Sequence, residues 1–139
     1  MQKIKVISVG KMGRGPLKDL ANELRKRLGP YFKLEEQVVD ELTSELLNNQ
    51  DVAILLSEGG KTMDSITFAK SLTKWSEHGQ REMTFIVAGP FGFDRALLTH
   101  ADHVLSLSPM TFPHEMAYVI LLEQLYRAGT ILAGKTYHY

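Results

Sequence analysis

Few residues in this chain have the types and spacing that chemistry needs. His100-x-x-His103 has the spacing of a metal pair, yet no third ligand is near in sequence, and a histidine pair at a helix end is the favoured reading. His114-Glu115 lacks the rest of a zinc-binding helix motif. Ser106 and Ser108 do not sit in G-x-S-x-G, so no nucleophile elbow is expected. With Cys 0, thiolate metal sites, cysteine nucleophiles and disulfides are excluded. Neither G-x-x-x-x-G-K-[ST] nor G-x-G-x-x-G occurs, so phosphate-loop hydrolysis and the usual dinucleotide fingerprint lack support. Three loops stand out instead: Ser57-Glu58-Gly59-Gly60-Lys61, Ala88-Gly89-Pro90-Phe91-Gly92 and Ser108 to Pro113. Each follows an apolar run. Glycine in two of them would let backbone approach a ligand closely. Singly, each reads as a chain turn; together at one edge they read as a small-molecule site.

The elements that must position these loops follow from periodicity. Ile4–Val9, Tyr31–Val39, Val52–Leu56, Met83–Val87 and Val104–Ser108 read as strands. Leu17, Leu20, Leu24 and Leu28 follow Pro16 at helical spacing and stop at Gly29-Pro30. Leu42, Leu46 and Leu47 suggest a short helix. Ser65–Glu77 is a longer one, with Trp75 expected in the core. Asp94 caps a short helix to Ala101, and Pro113 starts a long one to about Leu132. Alternating strand and helix imply an α/β fold, a mostly parallel sheet flanked by helices on both faces. Ligands then bind beyond the carboxyl ends of the strands, where the three loops lie.

At 139 residues the chain is expected to form one domain, 1–139. No window approaches a membrane span, and no signal peptide is expected at the N-terminus, so the expected location is cytoplasmic. Net charge is +0, but it is unevenly spread. Residues 1–33 carry nine basic groups against two acidic, and residues 34–64 carry one against eight. Either the two blocks face each other or lie on separate helices, or the basic block gathers into a phosphate-binding face.

From Leu105 onward the residues become distinctive. Leu105-Ser106-Leu107-Ser108-Pro109-Met110-Thr111-Phe112-Pro113-His114, then Leu122-Glu123-Gln124-Leu125-Tyr126-Arg127-Ala128, then Tyr137-His138, resemble the RlmH family of ribosomal large-subunit RNA methyltransferases, of the SPOUT class. Ile7-Ser8-Val9-Gly10-Lys11, Gly60 to Ser65 and Phe85 to Gly92 fall in matching order, so the resemblance covers essentially the whole chain. It implies a C-terminal trefoil knot, a homodimer, S-adenosyl-L-methionine as methyl donor, and N3 of a pseudouridine in large-subunit ribosomal RNA on the ribosome as target. The donor pocket it implies is Leu56, Gly89, Ser108, Pro109, Met110, Thr111, Phe112 and Pro113. His114, Arg127, Tyr137 and His138 would lie near the target base, with His114 or His138 as proton acceptor.

Each of these residues has a second reading. His114 also suits a helix-start cap or a dimer contact, and Arg127 a phosphate ligand, a helix-end charge or a dimer ion pair. No metal and no membrane partner are expected. Arginine is expected in many relatives where Tyr118 stands, and the region after the second strand is short and acidic. The same fold acting on transfer RNA, or binding RNA without catalysis, is the alternative function. The run Met116 to Leu122 is apolar throughout, which leads one to expect a dimer surface there.

Overall fold

The computed structural model describes residues 1–137. Its elements in chain order are β1 (Gln2–Val9), α1 (Pro16–Leu28), β2 (Phe32–Val39), α2 (Ser44–Asn48), β3 (Val52–Lys61), α3 (Ser65–Trp75), β4 (Met83–Val87), a 3₁₀ segment (Arg95–His100), β5 (His103–Leu105) and α4 (His114–Leu132). The five strands form one sheet in the order β2-β1-β4-β3-β5, and every pairing is parallel. This is the expected class, a parallel sheet flanked by helices. It departs from the 2-1-3-4-5 order of flavodoxin-like sheets, because β4 enters between β1 and β3.

Period-two alternation splits the strand residues between two cores. Ile4, Val6, Ile54, Leu56, Phe85 and Val87 pack with Ala21 and Leu24 of α1, Phe68 and Leu72 of α3, and Val119, Leu122 and Leu125 of α4. Ile7, Ala53, Leu55 and Ile86 pack on the other face with Leu47 of α2 and with Leu97 and Leu98 of the 3₁₀ segment. The continuous run Val52 to Leu56 is therefore buried on both sides, as a central parallel strand must be. Local signals hold the helix starts: Asp64 Oδ1 accepts from Thr67 N at 2.7 Å, and Asp94 Oδ1 from Ala96 N at 3.0 Å.

Three local expectations change. Residues 57–61 continue β3 past an irregularity instead of forming a free loop. Gly60 crosses over β5 so closely that a Cβ there would lie 2.6 Å from Val104 O. Ser106 completes the crossing, its N–H donating to Lys61 O at 2.9 Å and its Oγ to Glu58 O at 3.1 Å. The last strand is correspondingly shorter, ending at Leu105.

The third concerns α4. Its apolar excess is taken up inside the chain, because α4 lies between α1 and α3 against the sheet. Tyr118, Val119, Leu121 and Leu122 are buried, and Met116 is 37% exposed. The apolar run therefore gives no support to a dimer surface on this helix. Among the described residues no helix is long and apolar enough to cross a membrane, and no group of three or more potential ligands could hold a metal ion.

Candidate active site

The carboxyl ends of β3, β4 and β5 open into one cleft of about 660 Å³, within the range of about 300–1,000 Å³ usual for small-molecule and cofactor sites. Leu56 ends the buried run of β3 and lines it. Gly89 lines it from the turn after β4, closed by Gly92 N–H donating to Gly89 O at 3.1 Å. Ser108, Met110, Thr111, Phe112, Pro113 and His114 form the wall contributed by the connection from β5 to α4. Within that wall Met110 N–H donates to Ser108 Oγ at 3.0 Å, which fixes the bend around the exposed Pro109. The structure thus brings together residues far apart in sequence.

Gly89 is glycine for a reason the sequence does not reveal. A Cβ at this position would stand 2.7 Å from Val9 O, so the missing side chain makes room for the neighbouring strand end. A bulkier residue there strains β1 against β4 before it meets anything in the cleft, so Gly89→Val is expected to disturb the fold as well as the cleft.

Arg127 and Tyr137 do not reach the cleft. Arg127 lies thirteen positions beyond His114 on α4, about 20 Å away at a rise of about 1.5 Å per residue. It pairs with Glu123 at 3.1 Å, and its guanidinium carbon lies 5.0 Å from the Tyr137 ring centroid. Tyr137 packs on Tyr126 at 4.5 Å, and Tyr126 on Tyr31 at 6.0 Å. His138 lies outside the described residues.

Sequence reasoning marked the segment that holds Glu58 without giving that residue a role, and it missed Arg95; both are charged residues of the cleft lining. It also missed Tyr118, 3% exposed, whose hydroxyl accepts from Arg25 at 2.6 Å and donates to Glu36. Burial and the Glu36 carboxylate push that hydroxyl well above a phenol's ordinary value, with Arg25 opposing, so it stays protonated. Burial alone would lower the Arg25 pKa; hydrogen bonds to Glu36 and Tyr118 outweigh it and raise it. Arg25 with Glu36 at 2.9 Å and Lys3 with Glu35 at 3.1 Å show that the basic and acidic blocks partly face each other.

An open parallel sheet with a cofactor-sized cleft at its strand ends is the arrangement in which α/β proteins bind ligands. The family model described as a predicted SPOUT methyltransferase matches residues 2–138, and the chain belongs to this family. It is similar to the ribosomal RNA large subunit methyltransferase H of Maridesulfovibrio salexigens, at 36% identity over 100% of this chain and 99% of that protein. The protein of the same name from Brucella anthropi is 38% identical over 98% of both chains. A probable methylase family protein from Haemophilus influenzae shares the fold at a TM-score of 0.65, with 11% identity, over 95% of this chain and 68% of that one.

Proposed function

We propose that this chain, acting as one domain, transfers a methyl group from S-adenosyl-L-methionine to N3 of a pseudouridine in large-subunit ribosomal RNA. One observation carries the reading. The cleft at the ends of β3, β4 and β5 is lined by the residues of the methyltransferase-like motifs, Leu56, Gly89, Ser108 and Met110 to His114, in a chain matched by the family over residues 2–138. The lining suits the donor. Leu56, Leu107, Phe93 and Ala117 offer apolar surface for a purine, and Glu58 a carboxylate for a cationic ligand.

When bound, S-adenosyl-L-methionine supplies an electrophilic methyl group. The protein's work is to orient it and to handle one proton, since N3–H must be lost as N3 takes the methyl. His114, at the cleft and the first residue of α4, is the proton acceptor in this reading. Arg127, Tyr126 and Tyr137 supply a cation and aromatic faces of the kind that hold a phosphate and a base. Their distance from His114 in one chain supports a homodimer in which the far end of one protomer's α4 completes the partner's cleft. The crossing of Gly60 over β5 supports the threaded C-terminal knot.

Calorimetric titration with S-adenosyl-L-methionine tests the donor site: saturable binding, weakened at least tenfold by Ser108→Trp, is expected. Absence of binding would refute the catalytic reading. Sedimentation equilibrium at micromolar concentration should show a dimer, and a stable monomer would refute the shared site.

A further inference from the structure

The loop between β1 and α1, residues 10–15, leaves the sheet at the same edge as the cleft, and Gly89 of the cleft lies directly against the end of β1 at Val9. This loop carries Lys11 and Arg14, both exposed and without an ion-pair partner among the described residues. Lys11 also lines, with Lys18 and Arg25, a second groove of about 270 Å³ bounded by Ser8, Val38 and Tyr118. Lys11 and Arg14 of the basic N-terminal block thus stand in the loop at the cleft's edge, and Lys18 joins Lys11 in the groove.

Two long-range bonds fix this loop, the first from Gly10 N–H to Val39 O at 2.8 Å. Gly13 N–H donates to Glu115 Oε1 at 2.7 Å, across 102 positions of sequence. Glu115 is the second residue of α4, adjacent to His114 and Pro113 in the cleft wall. Its carboxylate forms no ion pair with Lys11 or Arg14; it takes a backbone amide and leaves both charges available. A carboxylate in the first turn of a helix is favourable on its own account, but that role does not require a contact with the loop.

We propose that Glu115 is a positioning residue for the RNA: by holding Gly13 it presents Lys11 and Arg14 as a phosphate-binding ridge beside the methyl-donor cleft. The inference rests on the reading above only in taking RNA as the substrate. Phosphate neutralisation dominates the affinity of such interfaces, and a ridge ordered in advance spares the ordering cost on binding.

The test compares the wild-type protein with Glu115→Ala, Glu115→Gln and the Lys11→Ala/Arg14→Ala pair. The probes are ribosomes lacking the modification, at saturating S-adenosyl-L-methionine, and large-subunit ribosomal RNA in filter binding. Glu115→Ala should raise KM for ribosomes and Kd for RNA about three- to tenfold, as expected for one exposed bond to a charged acceptor. Its kcat and donor affinity should stay within about twofold. Glu115→Gln should stay near wild type, because an amide oxygen accepts the same bond. The lysine and arginine pair should weaken binding and reduce the slope of log Kd against log salt by about 1 to 2. Wild-type KM and RNA affinity in Glu115→Ala would overturn the proposal, as would a loss confined to kcat. Equal damage in Glu115→Gln would also overturn it, since the helix-end charge and not the tether would then be at work. If the wild type transfers no methyl group, the functional reading fails, and the filter-binding series still decides the role of Glu115.

Discussion

Replacing Gly89 with alanine separates two explanations of the glycine turn. The added Cβ would stand 2.7 Å from Val9 O and 3.5 Å from the same residue's carbonyl carbon. Ordinary contacts begin near 3.5 Å, so the oxygen is too close by more than half an ångström. Neither side can retreat cheaply, because β1 and β4 are neighbours in register up to Ser8 and Val87. Overpacking of this kind costs about 1–3 kcal/mol. For a chain of this size, about 2 kcal/mol lowers the melting temperature by roughly 6–10 °C. Displacement of the turn also moves the cleft wall, so donor affinity should fall about tenfold. Thermal denaturation and calorimetric donor titration of the same preparation read both effects. The refuting result is lost donor affinity at an unchanged melting temperature, which would mean that the glycine makes room for the ligand and not for β1.

Tyr118→Phe removes a buried hydroxyl that links Arg25 and Glu36. Those two keep their direct bonds at 2.9 and 3.0 Å, so urea denaturation should show a loss of about 1–2 kcal/mol; no loss would deny the network a stabilising role. His103 stacks on Trp75 with centroids 4.6 Å apart. Burial pulls its pKa below the ordinary 6.5, Asp102 opposing and Lys61 and Lys74 adding to the fall. Just below pH 6.5 the unfolded chain then binds more protons at this site than the folded one, so the contribution of His103 to stability is lost on acidification and regained as pH rises. The histidine ring resonances should titrate with a midpoint below 6.5, and a midpoint above it would contradict the packing described.

Much of the fold is legible because its signals are local. The leucines of α1, the caps Asp64 and Asp94, and the two-sided apolar run of β3 each carry their answer within a few residues. Strand order is not legible, since β4 pairs with both β1 and β3 across long separations and no periodicity records it. Gly60 and Gly89 read as turn or ligand-approach residues, but each serves a close passage between strands that exists only in the assembled sheet. The apolar excess of α4 is visible in sequence, whereas its concealment between α1 and α3 is not. In the candidate site, the wall from Ser108 to His114 is legible through its long motif. Arg95 is not, because nothing in its neighbours says which way the segment after β4 faces. Arg127 and Tyr137 sit together as the tail motif suggests, yet helix length alone carries them far from His114.

The central claim is best tested by incubating the protein with S-adenosyl-L-methionine labelled in its methyl group and with ribosomes lacking the modification. Separated subunits and transfer RNA serve as parallel substrates, and the RNA is digested and its nucleosides identified by mass spectrometry. Label is expected in large-subunit ribosomal RNA alone, in a single N3-methylated pseudouridine. Label in transfer RNA, label in another nucleoside, or no transfer to any of these substrates would contradict it.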